Sequence, residues 1–176
     1  VRPIKTPADL KGLKMRVPPM DIMLKTMDAM GANVTPIPFT ELYMALKTGV
    51  VDGQENPYPQ ILDENLYEVQ KYLTVVNYLY PVNAFVSSLD WWKSLPQTDR
   101  ELISKAALEG AAYTNAIHKS NQEKMFEEVK NLMEVYVPTE EELNQFKSKV
   151  QPVYDWAIEQ EYITQEIIDQ IREMAE

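Results

Sequence analysis

The chain has 176 residues and a net charge of −10, with 45% hydrophobic and 25% charged residues, an ordinary globular composition sized for one domain or two small lobes. The acidic balance excludes nucleic acid and anionic membrane surfaces as partners, since both are met by basic patches, but leaves room for a small anion gripped by one local Arg. The absence of cysteine and the single histidine, His118, exclude disulfides, thiol nucleophiles and Cys- or His-rich metal sites, and no apolar run reaches the roughly 18 residues of a membrane span.

Thr6-Pro7-Ala8-Asp9-Leu10 pairs a cap residue with Pro and suits one helical turn. Leu13 to Val17 is a short strand, with Arg16 near its carboxyl end and Pro18-Pro19 as its stop. Asp21 is placed to cap a helix to Met30 that carries Met23, Met27 and Met30 on one face as core filling, with Gly31 as terminator. Val34 to Ile37 is a second strand. Thr40 then caps a helix over Glu41 to Thr48, ended by Gly49. Val50-Val51-Asp52 reads as a third strand, turning at Gly53 into Gln54-Glu55-Asn56-Pro57. Residues 13–55 thus spell β-α-β-α-β, the unit of a parallel sheet.

Tyr58 to Tyr72 is predicted helical in two pieces. Leu73 to Tyr80 and Val82 to Leu89 are apolar and β-branched, and read as two strands or one kinked at Pro81. Asp90 to Pro96 is a short capped helix. Thr98 to about Met133 holds no Pro and a single Gly, so it predicts about 50 Å of helix. A compact globule of this length is only about 40 Å across, so the helix either breaks at Gly110 or extends beyond one lobe, and the second is the reading adopted. Val135 to Val137 is a short edge strand, and Thr139-Glu140-Glu141-Glu142 is a capping box. Pro152 interrupts the helix that follows. Thr164 starts a last helix whose buried face is expected at Ile167, Ile168 and Ile171.

In a parallel unit the carboxyl ends of the strands share one edge, where open α/β sheets hold ligands. Arg16 and Asn56 both fall there. Arg16 carries a planar fork suited to a carboxylate, and Asn56 an amide that can donate to the same group. Phe39, past the second strand, supplies an apolar wall. The competing structural reading pairs Arg16 with Glu55 or Asp52 and leaves Asn56 to cap a turn. Tyr43, Tyr58 and Trp92 either line a pocket or pack. Glu41, Glu55 and Asp63 have no spacing that marks a hydrolase pair. Gly12, Gly31, Gly49, Gly53 and Gly110 are isolated, so no phosphate cradle and no cofactor are implied.

Several segments, in order, carry a resemblance: Asp9-Leu10-Lys11-Gly12-Leu13-Lys14-Met15-Arg16-Val17-Pro18, Gly31 to Pro36, Phe39 to Tyr43, Ala45 to Pro57, Tyr67 to Tyr72, and Trp91 to Pro96. The chain resembles the TRAP-type solute-binding proteins, the extracytoplasmic subunits of tripartite ATP-independent periplasmic transporters, over essentially its whole length. The resemblance implies a periplasmic-binding-protein-like α/β fold of two lobes closing on a ligand, with a long helix spanning both. It implies a small organic acid as ligand, gripped by Arg16 and contacted by Asn56 and Phe39, membrane permease subunits as partners, a periplasmic location and no catalysis. An enzyme acting on a small organic acid, with Glu55 or His118 as base, is the alternative. A fragment that binds nothing alone is a third reading.

Family members carry a substantial portion before the segment matched here, and Val1-Arg2-Pro3-Ile4 is no signal peptide. The expectation is therefore a chain that lacks its N-terminal portion. Residues 1–81 and 122–176 would form the second lobe, and 82–121 a part of the first together with the start of the long helix. The apolar surface of Val82 to Leu95 would then need that portion, or an oligomer partner, to cover it.

Overall fold

Parallel pairing brings three separated stretches side by side. The computed structural model describes residues 2–80 and 82–175. In it β1 (Lys14–Val17), β2 (Asn33–Pro36) and β3 (Gly53–Gln54) form a sheet of order β2-β1-β3, both pairs parallel. The register sets Arg16 against Thr35 on one side and Gln54 on the other. The crossovers are α1 (Asp21–Ala29) and α2 (Leu42–Lys47), the latter entered through a 3-10 turn at Phe39–Glu41. Gly31 follows α1 with φ +103°, where a side chain would be strained. Successive residues of β1 face opposite sides of the sheet, yet Met15, Arg16 and Val17 are all buried, so the strand is covered on both faces.

Three local expectations shift. Asp21 lies in the first turn of α1 rather than at its cap, which is Met20. Its charge there still favours the helix N-terminus. Thr40 lies inside the 3-10 turn and caps nothing. The third strand runs through Gly53–Gln54 instead of turning at Gly53. The reason is a clamp at Asp52, whose N–H donates to the Lys14 carbonyl at 2.8 Å while its Oδ2 accepts from the Lys14 N–H at 2.9 Å. Gly53 is thereby drawn against β1, where a Cβ would lie 2.7 Å from Met15 Sδ.

Helix α1 packs on β1 and β2, with Met23 and Met27 buried as their spacing predicts. A core cluster gathers Ile37, Leu42, Leu46 and Val51 with Ile61 of α3 (Tyr58–Asp63), Leu66, and Val129 and Met133 at the end of the long helix α5 (Gln97–Leu132). Strands β4 (Tyr72–Thr74) and β5 (Glu134–Tyr136) pair in parallel beside it. The capping box of α6 (Glu140–Lys149) forms: Glu142 accepts the Thr139 N–H at 2.8 Å and the Tyr136 hydroxyl at 2.8 Å. Pro152 sits in the first turn of α7 (Gln151–Glu159), which packs on α1. In α8 (Gln165–Ala175) Ile168 is buried at 4% exposure, but Ile167 and Ile171 are exposed. The expected stripe therefore finds a partner surface along one row only.

The chain divides into two compact units, one joining the stretch up to Val76 to that from Val129 onward, the other Asn77–Glu128. The second unit holds α4 (Leu89–Ser94) and most of α5, which continues unbroken through Gly110. The strands expected over 73–80 and 82–89 stop at Thr74 among the described residues. Tyr80, Val82, Phe85 and Val86 are exposed. A strand needs a neighbour for its N–H and C=O groups, and no described residue pairs with these. Pro81, the expected kink, lies outside the described residues, as do Val1 and Glu176.

Candidate functional site

The site builds up from the carboxyl edge of the three-stranded sheet. Arg16 stands one residue before the end of β1 and is 2% exposed. Burying a guanidinium demands partners. Its Nε donates to the Ile37 carbonyl at 2.8 Å, just past the end of β2, and its Cζ lies 5.8 Å from the Phe39 ring centroid, within cation–π range. The cation is thus held by a backbone carbonyl and a ring among its contacts. Phe39, 39% exposed, is the accessible part of this pair.

Asn56 lies two residues beyond Gln54, the register partner of Arg16, and is half-buried. Its Nδ2 donates to Gln54 Oε1. Asp52 serves the strand clamp already described. Arg16, Phe39 and Asn56 therefore share one sheet edge, two of them within measured contact and the third by register.

Tyr43 and Tyr58 each make contacts of their own. The Tyr43 hydroxyl donates to Glu68 Oε2 at 2.6 Å, which pushes its pKa up, and Lys47 lies over its ring. Tyr58 opens α3 and packs against the Leu42–Ile61 cluster, and burial raises the pKa of its phenol. Trp92 belongs to the second unit, its ring 6.4 Å from that of Trp91. Sequence reasoning missed Gln54, whose part depends on a cross-strand register. Met20 and Ile22 are exposed apolar residues in the β1–α1 connection and first turn of α1. Among the described residues no cluster of three or more His, Asp or Glu could hold a metal ion, and no helix is long and apolar enough to cross a membrane.

A buried Arg beside an aromatic, at the carboxyl edge of a parallel sheet that also carries Asn56, is suited to binding an anion. The family described as bacterial extracellular solute-binding protein, family 7, matches residues 1–161. The chain belongs to this solute-binding family. The C4-dicarboxylate-binding periplasmic protein DctP of Rhodobacter capsulatus is 36% identical over 155 residues, covering 87% of this chain and 46% of that protein. The sialic acid-binding periplasmic protein SiaP of Vibrio cholerae is 36% identical over 154 residues, covering 87% and 47%. Among solved structures, the periplasmic ectoine-binding protein of the TeaABC TRAP transporter of Halomonas elongata superposes with a TM-score of 0.86 at 31% identity, over 90% of this chain and 53% of that one. The α/β solute-binding fold and the TRAP resemblance read from the sequence hold. The family is one of transport components rather than enzymes. The chain spans about half the length of the curated relatives it matches.

Proposed function

We propose that this chain supplies one wall of an extracytoplasmic solute-binding protein that captures a small organic acid and delivers it to TRAP permease subunits. The observation that carries this reading is Arg16: a nearly inaccessible cation at the carboxyl edge of the sheet, oriented by the Ile37 carbonyl and flanked by the Phe39 ring. Because Arg16 is buried and already partnered, an arriving carboxylate must share or displace its present contacts, and would then meet the guanidinium where charge-assisted hydrogen bonds are strongest. Asn56 offers a second polar contact and Phe39 an apolar wall. The relatives' ligands by name, a C4-dicarboxylate, sialic acid and ectoine, have a carboxylate in common, which supports the same assignment.

In this reading residues 1–81 and 122–176 form the second lobe, and 82–121 form part of the first. The apolar surface from Val82 onward is covered by a further segment of a longer protein or by an oligomer partner, and the location is periplasmic. No catalysis is involved.

The test is a titration of succinate, N-acetylneuraminate and ectoine into the native chain and into Arg16→Ala and Arg16→Lys. Removing the charge-assisted partner costs about 2–4 kcal/mol, a weakening of about 30- to 1,000-fold. Lys keeps the charge but lacks the planar fork, so it restores only part of the affinity. Unchanged binding in Arg16→Ala removes Arg16 from the site. Mass spectrometry should recover the acid unaltered, and turnover would favour an enzyme instead.

A further inference from the structure

The sheet edge contains a device that the ligand reading does not use. Three contacts fix β3 before it reaches the site. Asp52 clamps it to Lys14 through two hydrogen bonds. The Gln70 side chain, anchored on the Val69 carbonyl at 2.9 Å, donates to the Asp52 carbonyl at 3.4 Å. Gly53 closes against Met15 with no Cβ between them. Gln54 is consequently set in register with Arg16, and its Oε1 accepts from Asn56 Nδ2. Asn56 itself lies past the last ladder residue, where no strand pairing orients it.

We infer that Gln54 is a positioning residue for the ligand site: it holds the Asn56 amide by one N–H, so that the remaining N–H and the carbonyl oxygen face the position taken by the acid. An amide has two N–H donors and one carbonyl acceptor. Spending one donor on Gln54 removes the free rotation of the side chain and fixes which groups a ligand meets. The inference rests on the proposed carboxylate site, since it assigns Gln54 a role through Asn56 and no contact of its own with the ligand.

The experiment is a double-mutant cycle on the full chain, read by NMR titration into the millimolar range with succinate, N-acetylneuraminate and ectoine. In the ligand-free chain Gln54→Leu should shift the Asn56 side-chain amide resonances, while Gln54→Glu, which keeps an acceptor oxygen, should leave them near their native positions. With whichever acid binds, Gln54→Leu should weaken affinity about 3- to 10-fold, the worth of one hydrogen bond. In an Asn56→Ala background the same change should do less than about 2-fold, because the partner it positions is gone. Equal losses in both backgrounds, or an unmoved Asn56 amide, would overturn the positioning role. No loss in Gln54→Leu overturns it as well. If the native chain binds none of the three acids, the carboxylate site itself fails and Gln54's role with it. Binding without coupling defeats only the Gln54 inference.

Discussion

Gly53→Ala should destabilise the chain, and the sign should reverse when Met15 is changed first. The added Cβ would lie 2.7 Å from Met15 Sδ and 3.1 Å from its Cε, against 3.4 Å or more for an ordinary contact. Sδ and Cε are the far end of a flexible side chain, so Met15 can retreat by the required distance of about 0.7 Å at the low end of the overpacking range, about 1 kcal/mol. In a chain of this length each kcal/mol moves Tm by about 2–4 °C. Met15→Val removes both offending atoms and keeps a residue suited to a strand. Gly53 has no positive φ in the structure, so alanine is compatible with its backbone. In the Met15→Val background, restricting the unfolded chain should make Gly53→Ala neutral or stabilising by about 0.4–1 kcal/mol. Urea unfolding of the four proteins in the cycle measures this directly. An equal loss from Gly53→Ala in both backgrounds would show that Met15 is not what the missing side chain makes room for.

Two carboxylates tie stability to acid pH. The N–H groups of Thr6 and Lys5 hold the Asp9 carboxyl below the usual carboxylate range, Thr6 contributing most. The Thr139 N–H and then the Tyr136 hydroxyl do the same for Glu142. A carboxyl depressed in the folded state contributes stability that is present above its unfolded pKa and lost as pH falls through the folded one. Asp9→Asn and Glu142→Gln should thus melt below the native chain at neutral pH and converge with it below about pH 4 in thermal scans. Thr139→Ala, which removes the cap of α6, should cost about 1 kcal/mol, or about 2–4 °C of Tm. Phe85 is 85% exposed in this chain, so Phe85→Ser should change unfolding free energy by less than about 0.5 kcal/mol, and a larger loss in urea would mean a surface is covering it.

The elements set by short-range signals were legible in the residues themselves. Alternating strand and helix patterns, with glycine and proline punctuation over residues 13–55, determined a parallel β-α-β-α-β unit, because each period and each stop is local. The thirty-odd residues without Pro beyond Thr98 determined the long helix. Thr139 and Glu142 determined the start of α6. The ordered segments around Arg16, Gly53 and Trp91 determined the family.

What depended on distant partners was decided by the tertiary structure. The apolar run over 73–89 reads as strand, yet among the described residues it pairs only at its start, within β4, where β5 supplies the neighbouring backbone. Ile171 belongs to an amphipathic helix but stays 57% exposed, since no described surface meets it. Arg16 could be placed at the sheet edge by counting residues. That its Nε would be taken by the Ile37 carbonyl required the β1–β2 pairing that ends at Pro36, and that Gln54 would stand opposite Arg16 required the β1–β3 register. Register is fixed by the Asp52 clamp and the missing Cβ of Gly53, two contacts between residues far apart in the chain, and no local pattern records them.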